Sequence, residues 1–322
     1  MFFEPSTLEE FVGQEKIKED LDILIEYSRS TGFIFGHTIL LGQPGCGKTT
    51  LAEVLSNELG YKIKKFFAGT FSKTSVEEIV EFVNKDKSII FIDELHAINP
   101  KFSEGLLLPM ERFIYNGEPI SEFSLIAGTT EFGKVIKPLR DRFHNSYVLR
   151  NYTNEDMEKV LIQQQCPLNV ATFIATRSRY TPRLAIKLFN RIKIEWQSVS
   201  KTKPITLNEE VCDRVFQRLG IDQWGLGEID RELIKFLYQY GAFEGAKRER
   251  PCGVENICVG LDLTRSDYLH LYEPYLVRDN FIRRIPKGRE VTKKGLKLVM
   301  GIEIKFKEKI QVQDYNFDDL EV

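Results

Sequence analysis

The sequence predicts an α/β fold: a parallel sheet between helices at the front, then a small helical domain, then a third domain ending in a basic β-hairpin. Three observations carry this. Short apolar runs at 38–41, 89–92 and 123–128 alternate with longer helical patterns, as in a parallel sheet covered on both faces. From Thr153 to Leu219 the text is mostly helical, with no strong strand run. Near the end, residues 283–295 read RRIPKGREVTKKG, with six Lys or Arg and one acid in thirteen positions.

Composition excludes several classes. The chain has 322 residues, 42% of them hydrophobic and 29% charged, and a formal net charge of −2. That suits a soluble globular protein of two or three domains. No stretch approaches the roughly 18 apolar residues of a membrane span, and MFFEPSTLEE lacks the features of a secretory signal. The five cysteines (46, 166, 212, 252 and 258) are scattered and contain no CxxC. Reduced thiols in a cytoplasmic protein without a zinc site are expected.

The first strand, Thr38 to Leu41, leads into GQPGCGKTT, and a helical pattern follows Lys48. Gly42, Gly47, Lys48 and Thr49 fit G-x-x-x-x-G-K-[ST], with Pro44 and Gly45 inside the loop. Glycines let backbone N–H groups turn inward around phosphates, and the helix N-terminus favours their charge. Lys48 is placed to reach the β- and γ-phosphates of ATP, and the Thr49 hydroxyl to bind Mg²⁺. The second strand, Ile89 to Ile92, ends in Asp93-Glu94. Asp93 is expected at the Mg²⁺ and Glu94 at the attacking water. A third strand, FSLIAG, ends in Thr129-Thr130, and a fourth spans Tyr147 to Leu149. Ligands gather at the carboxyl ends of such strands.

Thr153 with acids after it reads as a helix start. Thr181 is a candidate N-cap, with Pro182 at the first helical position and Arg183 in the first turn. A cation there opposes the helix dipole, which hints at an anionic partner. QWGLGEID suggests a linker, and Asp230 to Tyr240 a helix. Phe281-Ile282 and the basic run form a strand–turn–strand, with Pro286-Lys287-Gly288 as the turn. From 240 to 301 there are twelve Lys or Arg against eight Asp or Glu, a local excess of four. Helices followed by a small basic hairpin resemble a winged-helix domain, and an Arg-rich turn suits phosphate contacts that do not read sequence. IEIKFKEKI, from residue 302, alternates like a half-exposed strand.

These segments resemble, in order, the RuvB family of AAA+ motors that drive branch migration at Holliday junctions. PSTLEEFVGQEKIKEDL, GQPGCGKTTLAEVLSNELG, IIFIDELHAIN, LIAGTT, PLRDRF, YTPRLA, GLGEID, LYEPYLV and NFIRRIPKGR carry the resemblance over roughly residues 4 to 300. It implies an AAA+ P-loop domain at 1–152, a helical lid at 153–223, a winged-helix DNA-binding domain at 224–301 and a tail at 302–322. It also implies nucleotide contacts from Lys48, Thr49, Thr50, Tyr152 and Arg183 (beside Pro182), with Asp93 and Glu94 at Mg²⁺ and water. Thr129 or Thr130 would be the first sensor. Arg142 would be a finger reaching a neighbouring subunit's ATP in a homo-oligomer, a hexamer by the family's pattern. Arg284 and Arg289 would touch DNA, with Arg283 and Lys287 beside them.

Two departures stand out. Glu4 occupies a place where the family carries an arginine near the adenine pocket. In MERFIYNGEPISEFSL, Asn116-Gly117 predicts a tight turn where the family has a longer apolar hairpin that docks RuvA, so RuvA docking is doubtful. The function expected is an ATP-driven motor on double-stranded DNA, with four-way junctions as a candidate substrate. The alternative is a clamp-loader-like or helicase-loader switch that binds DNA without processive translocation.

Overall fold

The three apolar runs become the interior of one parallel sheet. The computed structural model describes residues 3–200, 206–246 and 250–307. In it β1 (Thr38–Leu41), β3 (Ser88–Asp93) and β6 (Ser124–Thr129) are almost wholly buried, which an unbroken apolar run permits. The order is β2-β3-β6-β1-β7, every pair parallel, with β2 (Lys62–Phe67) and β7 (Asn145–Val148) at the edges. The fourth strand therefore begins two residues earlier than the sequence suggested, because Asn145 already pairs with Thr38. The β2 edge strand was not predicted. Its lysines break any apolar run, and Lys62, Lys64 and Lys65 pair with Asp86, Glu78 and Glu53. Charge along an edge also discourages strand addition by another chain.

The chain falls into two compact units, Met1–Cys212 and Asp213–Val322. In the first, α1 (Glu15–Thr31), α2 (Lys48–Leu59) and α3 (Lys73–Val83) are the long helices around the sheet, with short turns α4 (Pro100–Ser103), α5 (Leu107–Arg112) and α6 (Lys137–Arg140). Ile90 and Ile92 of β3, Leu125 and Ala127 of β6, and Val76, Ile79 and Val83 of α3 share one core. Each fully buried aliphatic of this kind contributes about 1.5–3 kcal/mol.

A titratable group is buried beside that core. Buried His37 accepts the Leu125 N–H at Nδ1 (2.9 Å) and donates from Nε2 to the Met110 carbonyl (2.9 Å), which fixes a neutral tautomer. Burial, with His144 adding to it, pushes its pKa down to about 4 from an ordinary 6.5. Below pH 6.5 the unfolded chain takes up a proton that the folded chain refuses until about pH 4. Stability from this group is therefore full above pH 6.5 and is lost as pH falls through that window. Denaturant unfolding is expected to show about 2 kcal/mol less stability at pH 5 than at pH 7 from this residue. His37→Gln should flatten that difference; an unchanged difference would show that His37 is not its source.

Between α5 and β6 lies a minimal hairpin, β4 (Ile114–Tyr115) and β5 (Glu118–Pro119). Asn116 (φ 50°) and Gly117 (φ 86°) form its two-residue turn, the left-handed pair that matches strand twist. Tyr115 and Ile120 pack against the core and Phe123 is fully buried within it.

The first unit closes with α7 (Asn154–Gln163), α8 (Leu168–Ala175), α9 (Pro182–Ser200) and α10 (Glu209–Arg218), the last spanning the division between units. Thr153 caps α7 as expected: its hydroxyl accepts from Asp156 N–H (3.1 Å) and the Asp156 carboxylate from Thr153 N–H (2.9 Å). Such a cap is worth about 0.5–2 kcal/mol. Thr181 does precede α9 with Pro182 at its start, but its hydroxyl donates to the Arg179 carbonyl (3.1 Å).

The second unit contains α11 (Glu228–Tyr240), α12 (Val254–Leu261), α13 (Arg265–Asp267), a π-helical turn at Tyr268–Tyr272, α14 (Glu273–Arg278), the hairpin β8 (Ile282–Ile285) and β9 (Gly288–Val291), and α15 (Lys293–Lys307). This is a winged-helix arrangement. The segment expected as a linker is a packed turn: Leu226 is fully buried, and Asp222 accepts from the N–H groups of Trp224 and Leu226 (both 2.9 Å). The wing's turn is Pro286-Lys287, and Gly288 already belongs to β9. A Cβ on Gly288 would stand 2.4 Å from the Cys252 carbonyl oxygen, where Cys252 and Arg289 exchange backbone hydrogen bonds (3.0 and 2.8 Å). The expected strand at 302 is corrected: α15 continues through Lys307, and residues 308–322 of the expected tail lie outside the described residues.

Candidate functional site

Sheet order places the site. β6 lies between β1 and β3, so Thr129-Thr130 emerge between the loop after β1 and the acids after β3. A cleft of about 370 Å³ opens there, within the first unit. Pro44, Gly45, Gly47, Lys48, Thr49, Thr50, Asp93, Glu94, Tyr152, Pro182 and Arg183 all line it. Eleven residues singled out from sequence thus meet in one place. Gly42 lies behind the lining and accepts from Lys48 Nζ at 2.8 Å, with Gln43 at 3.3 Å. The cleft is also lined by Phe3, Pro5, Phe11, Val12, Val160 and Ile186, with the two carboxylates of Glu4 and Glu10, a largely apolar surface that suits a nucleobase. Gln164 bonds the backbone of Phe3 on both sides, accepting its N–H at 3.0 Å and donating to its carbonyl at 2.7 Å.

Buried Tyr152 donates to the Cys46 carbonyl (3.0 Å); burial raises its phenol above the usual range. Cys46 is buried within the loop itself, and desolvation raises its thiol pKa despite nearby Lys48. It is therefore not a reactive thiolate.

At the chemical end, Asp93 accepts the Glu94 N–H (3.0 Å). Glu94 holds a left-handed backbone conformation (φ 51°), a strain typical of active sites. Its Oε2 accepts from the Thr130 hydroxyl at 3.2 Å and lies 3.3 Å from His96 Nδ1. Buried Thr129 does not line the cleft; its hydroxyl meets His96 Nδ1 (3.0 Å) and accepts from Glu131 N–H (3.1 Å). Between the two sensor candidates, Thr130 is therefore the one that touches Glu94. His96 was missed from sequence. Its signal was its position, one turn beyond Asp93, in a short 3₁₀ segment at Leu95–Ala97.

Thr49 and Asp93 offer one hydroxyl and one carboxylate at the same cleft. Hard oxygen donors in small number fit Mg²⁺, which keeps most of its waters. Arg142 stands apart from the cleft. Its Nε donates to the Leu107 carbonyl (3.1 Å), Nη1 to the Pro138 carbonyl (2.5 Å) and Nη2 to Glu111 (2.6 Å).

On the wing, Arg284 and Arg289 both bond Glu273 (2.7 and 2.5 Å), and Arg283 bonds Glu290. Lys287 at the tip is exposed, without a hydrogen bond or ion pair among the described residues. Three carboxylates, Glu244, Glu273 and Glu290, thus gather on the basic run.

Comparison with known proteins bears on both units. A family model for the "Holliday junction DNA helicase RuvB P-loop domain" matches residues 3–149, and one for the "RuvB C-terminal winged helix domain" matches 223–300. The "Holliday junction branch migration complex subunit RuvB" of Campylobacter hominis is 31% identical, covering 95% of this chain and 92% of that protein. Its namesake from Ehrlichia ruminantium strain Gardel is 33% identical over 91% and 90%. Among solved structures, the Thermotoga maritima RuvB Holliday junction branch migration motor superposes with a TM-score of 0.79 at 31% identity. That match covers 93% of this chain and 99% of that one.

Proposed function

The chain belongs to the RuvB family of P-loop ATPases, and from that premise we propose that it is an ATP-driven motor acting on double-stranded DNA, assembled as a homo-hexamer in the cytoplasm, that drives migration of four-way junctions. The observation that carries this reading is the single cleft in which phosphate loop, Asp93-Glu94 and Arg183 converge, on a chain that also holds a basic wing.

The residues divide the work. The loop from Gly42 to Gly47 and the start of α2 receive the phosphates, with Lys48 Nζ leaving its own loop carbonyls for phosphate oxygens. Mg²⁺ held by Thr49 and Asp93 would offset charge on the β- and γ-oxygens. Glu94, fixed by Thr130 and backed by His96, orients the attacking water. Arg183, at the first turn of α9, answers the γ-phosphate from the lid at 153–223, and Arg142 serves the neighbouring subunit's nucleotide. Junction DNA is gripped by the wing of residues 224–301.

Steady-state ATP hydrolysis with and without duplex DNA, read beside displacement of a strand from a four-way junction, tests the proposal. A motor hydrolyses faster on DNA and resolves the junction. DNA-stimulated hydrolysis without displacement would identify a loader-type switch, and no turnover at all would reject both.

Loading does not pass through β4–β5 in this reading. A docking surface commonly buries about 800 Å² per partner around anchoring side chains. Here Tyr115, Ile120 and Phe123 are taken up by the core. Calorimetric titration with RuvA from the host is expected to show no binding. Micromolar or tighter affinity that disappears on mutating residues 114–120 would reverse this conclusion.

A further inference from the structure

Two side chains behind the cleft are joined to its chemical end without reaching it. His96 follows Glu94 on the 3₁₀ segment after β3, and Glu131 follows Thr129-Thr130 after β6; the two strands are paired neighbours. Neither side chain lines the cleft. With Glu94 they form a line of three groups. Glu94 Oε2 lies 3.3 Å from His96 Nδ1, and His96 Nε2 lies 3.3 Å from Glu131 Oε2. The imidazole is only 16% exposed, so water competes little for either nitrogen.

The ring is held in this line from both sides. The Thr129 hydroxyl meets Nδ1 at 3.0 Å and is itself fixed, because its oxygen accepts the Glu131 N–H at 3.1 Å. Glu131 thus acts twice: its backbone secures the threonine on one ring nitrogen, and its carboxylate faces the other. A carboxylate on the far nitrogen fixes the orientation of an imidazole and, with it, what the near nitrogen offers. Glu94 needs such support. Its backbone is left-handed at φ 51°, and the γ-phosphate of a bound nucleotide would repel its carboxylate at short range. Thr130 and His96 both meet Oε2, which leaves Oε1 for the attacking water.

We propose that Glu131 is a positioning residue for hydrolysis: through His96 it holds Glu94 in the orientation that presents Oε1 to water. This rests on the water-orienting reading of Glu94 and deepens it by adding a carboxylate that no motif marks. Glu131 also pairs with Lys134 Nζ at 2.8 Å, but that lysine side chain is 65% exposed, and such a surface pair contributes little.

Steady-state hydrolysis by the full chain, read beside ATP affinity from filter binding, tests this. Glu131→Ala should lower kcat by about 10- to 100-fold, the loss usual for a group that orients an active-site histidine from behind, while ATP affinity stays as in the wild type. Glu131→Gln keeps an oxygen facing Nε2 and should recover most of the loss. The deciding comparison is a cycle with His96→Asn, whose amide can replace Nδ1 but is too short to reach Glu131. In that background Glu131→Ala should lower kcat no further, because its route to Glu94 is already cut. Thermal melts establish that each variant is folded, and Glu131→Ser takes the place of the alanine variant in the cycle should that one melt early. An equal loss in both backgrounds would overturn the proposal, as would a wild-type kcat for Glu131→Ala. So would an equal loss from Lys134→Ala, which disturbs the same surface turn and leaves His96 alone, or a fall in ATP affinity that accounts for the lost rate. Normal turnover in Glu94→Gln would instead reject the water-orienting reading of Glu94, and this inference with it.

Discussion

Replacing Arg142 with alanine is expected to lower ATP hydrolysis by about 10³- to 10⁵-fold, the span over which an arginine supplied to a neighbour's phosphates acts, while nucleotide binding stays intact. Arg142 contributes nothing to the cleft of its own chain. Its guanidinium is bound to the Leu107 and Pro138 carbonyls and to Glu111. The two carbonyls hold its Nε and Nη1, so the exchangeable partner is the half-exposed Glu111. A neighbouring subunit's phosphate is a stronger anion for Nη2 than that surface carboxylate, whose pairing in water is worth about 1 kcal/mol or less. Mixing Arg142→Ala with Lys48→Ala protein should restore part of the activity, because one subunit then supplies the finger and another the phosphate site. With mixed assemblies verified by mass, absence of any rescue would argue against a site shared between subunits.

Lys48→Ala and Glu94→Gln should both abolish turnover yet differ in what they bind. The first removes a cation directed at phosphate from a nearly buried position, so ATP affinity should fall. The second keeps the side chain's size and its capacity to accept from the Thr130 hydroxyl. It removes the negative charge proposed to orient and activate water, a contribution of about 10²–10⁴ in rate. ATP should therefore stay bound and unhydrolysed, and filter binding with labelled nucleotide would show it. Equal loss of affinity in the two variants would remove Glu94 from the water-orienting role.

Legibility followed chemistry that is local in sequence. The phosphate loop, the Asp93-Glu94 strand end and the Thr153 cap each declare themselves within a few residues, because one strand, one turn or one helix end produces the whole feature. β2 was invisible because an edge strand needs no apolar face, and its lysines are satisfied by acids up to 24 positions away. His96 was passed over because its meaning depends on Thr129 and Glu131, carried there by a different strand. The basic run shows its partners only in the fold. Along the chain it is an excess of positive charge; in the fold Glu244 and Glu273 come back to it from distant segments.

The placement of β1 has a consequence for how the protein is made. Thr38 finds its hydrogen-bonded neighbours at Ile126 and Asn145, both synthesised long after it. At about 5–20 residues per second, β1 leaves the ribosome on the order of 5 to 20 s before the later partner exists. Throughout that interval an apolar strand and the glycine-rich loop behind it have no sheet to join, and closing so long a loop is itself slow. Nascent chains halted before residue 124 should consequently gain no protection from ATP against proteolysis, whereas chains extended past β7 and the lid helices should. The nucleotide site is thus among the last parts of the first unit to be completed, although its signature is among the first to be translated.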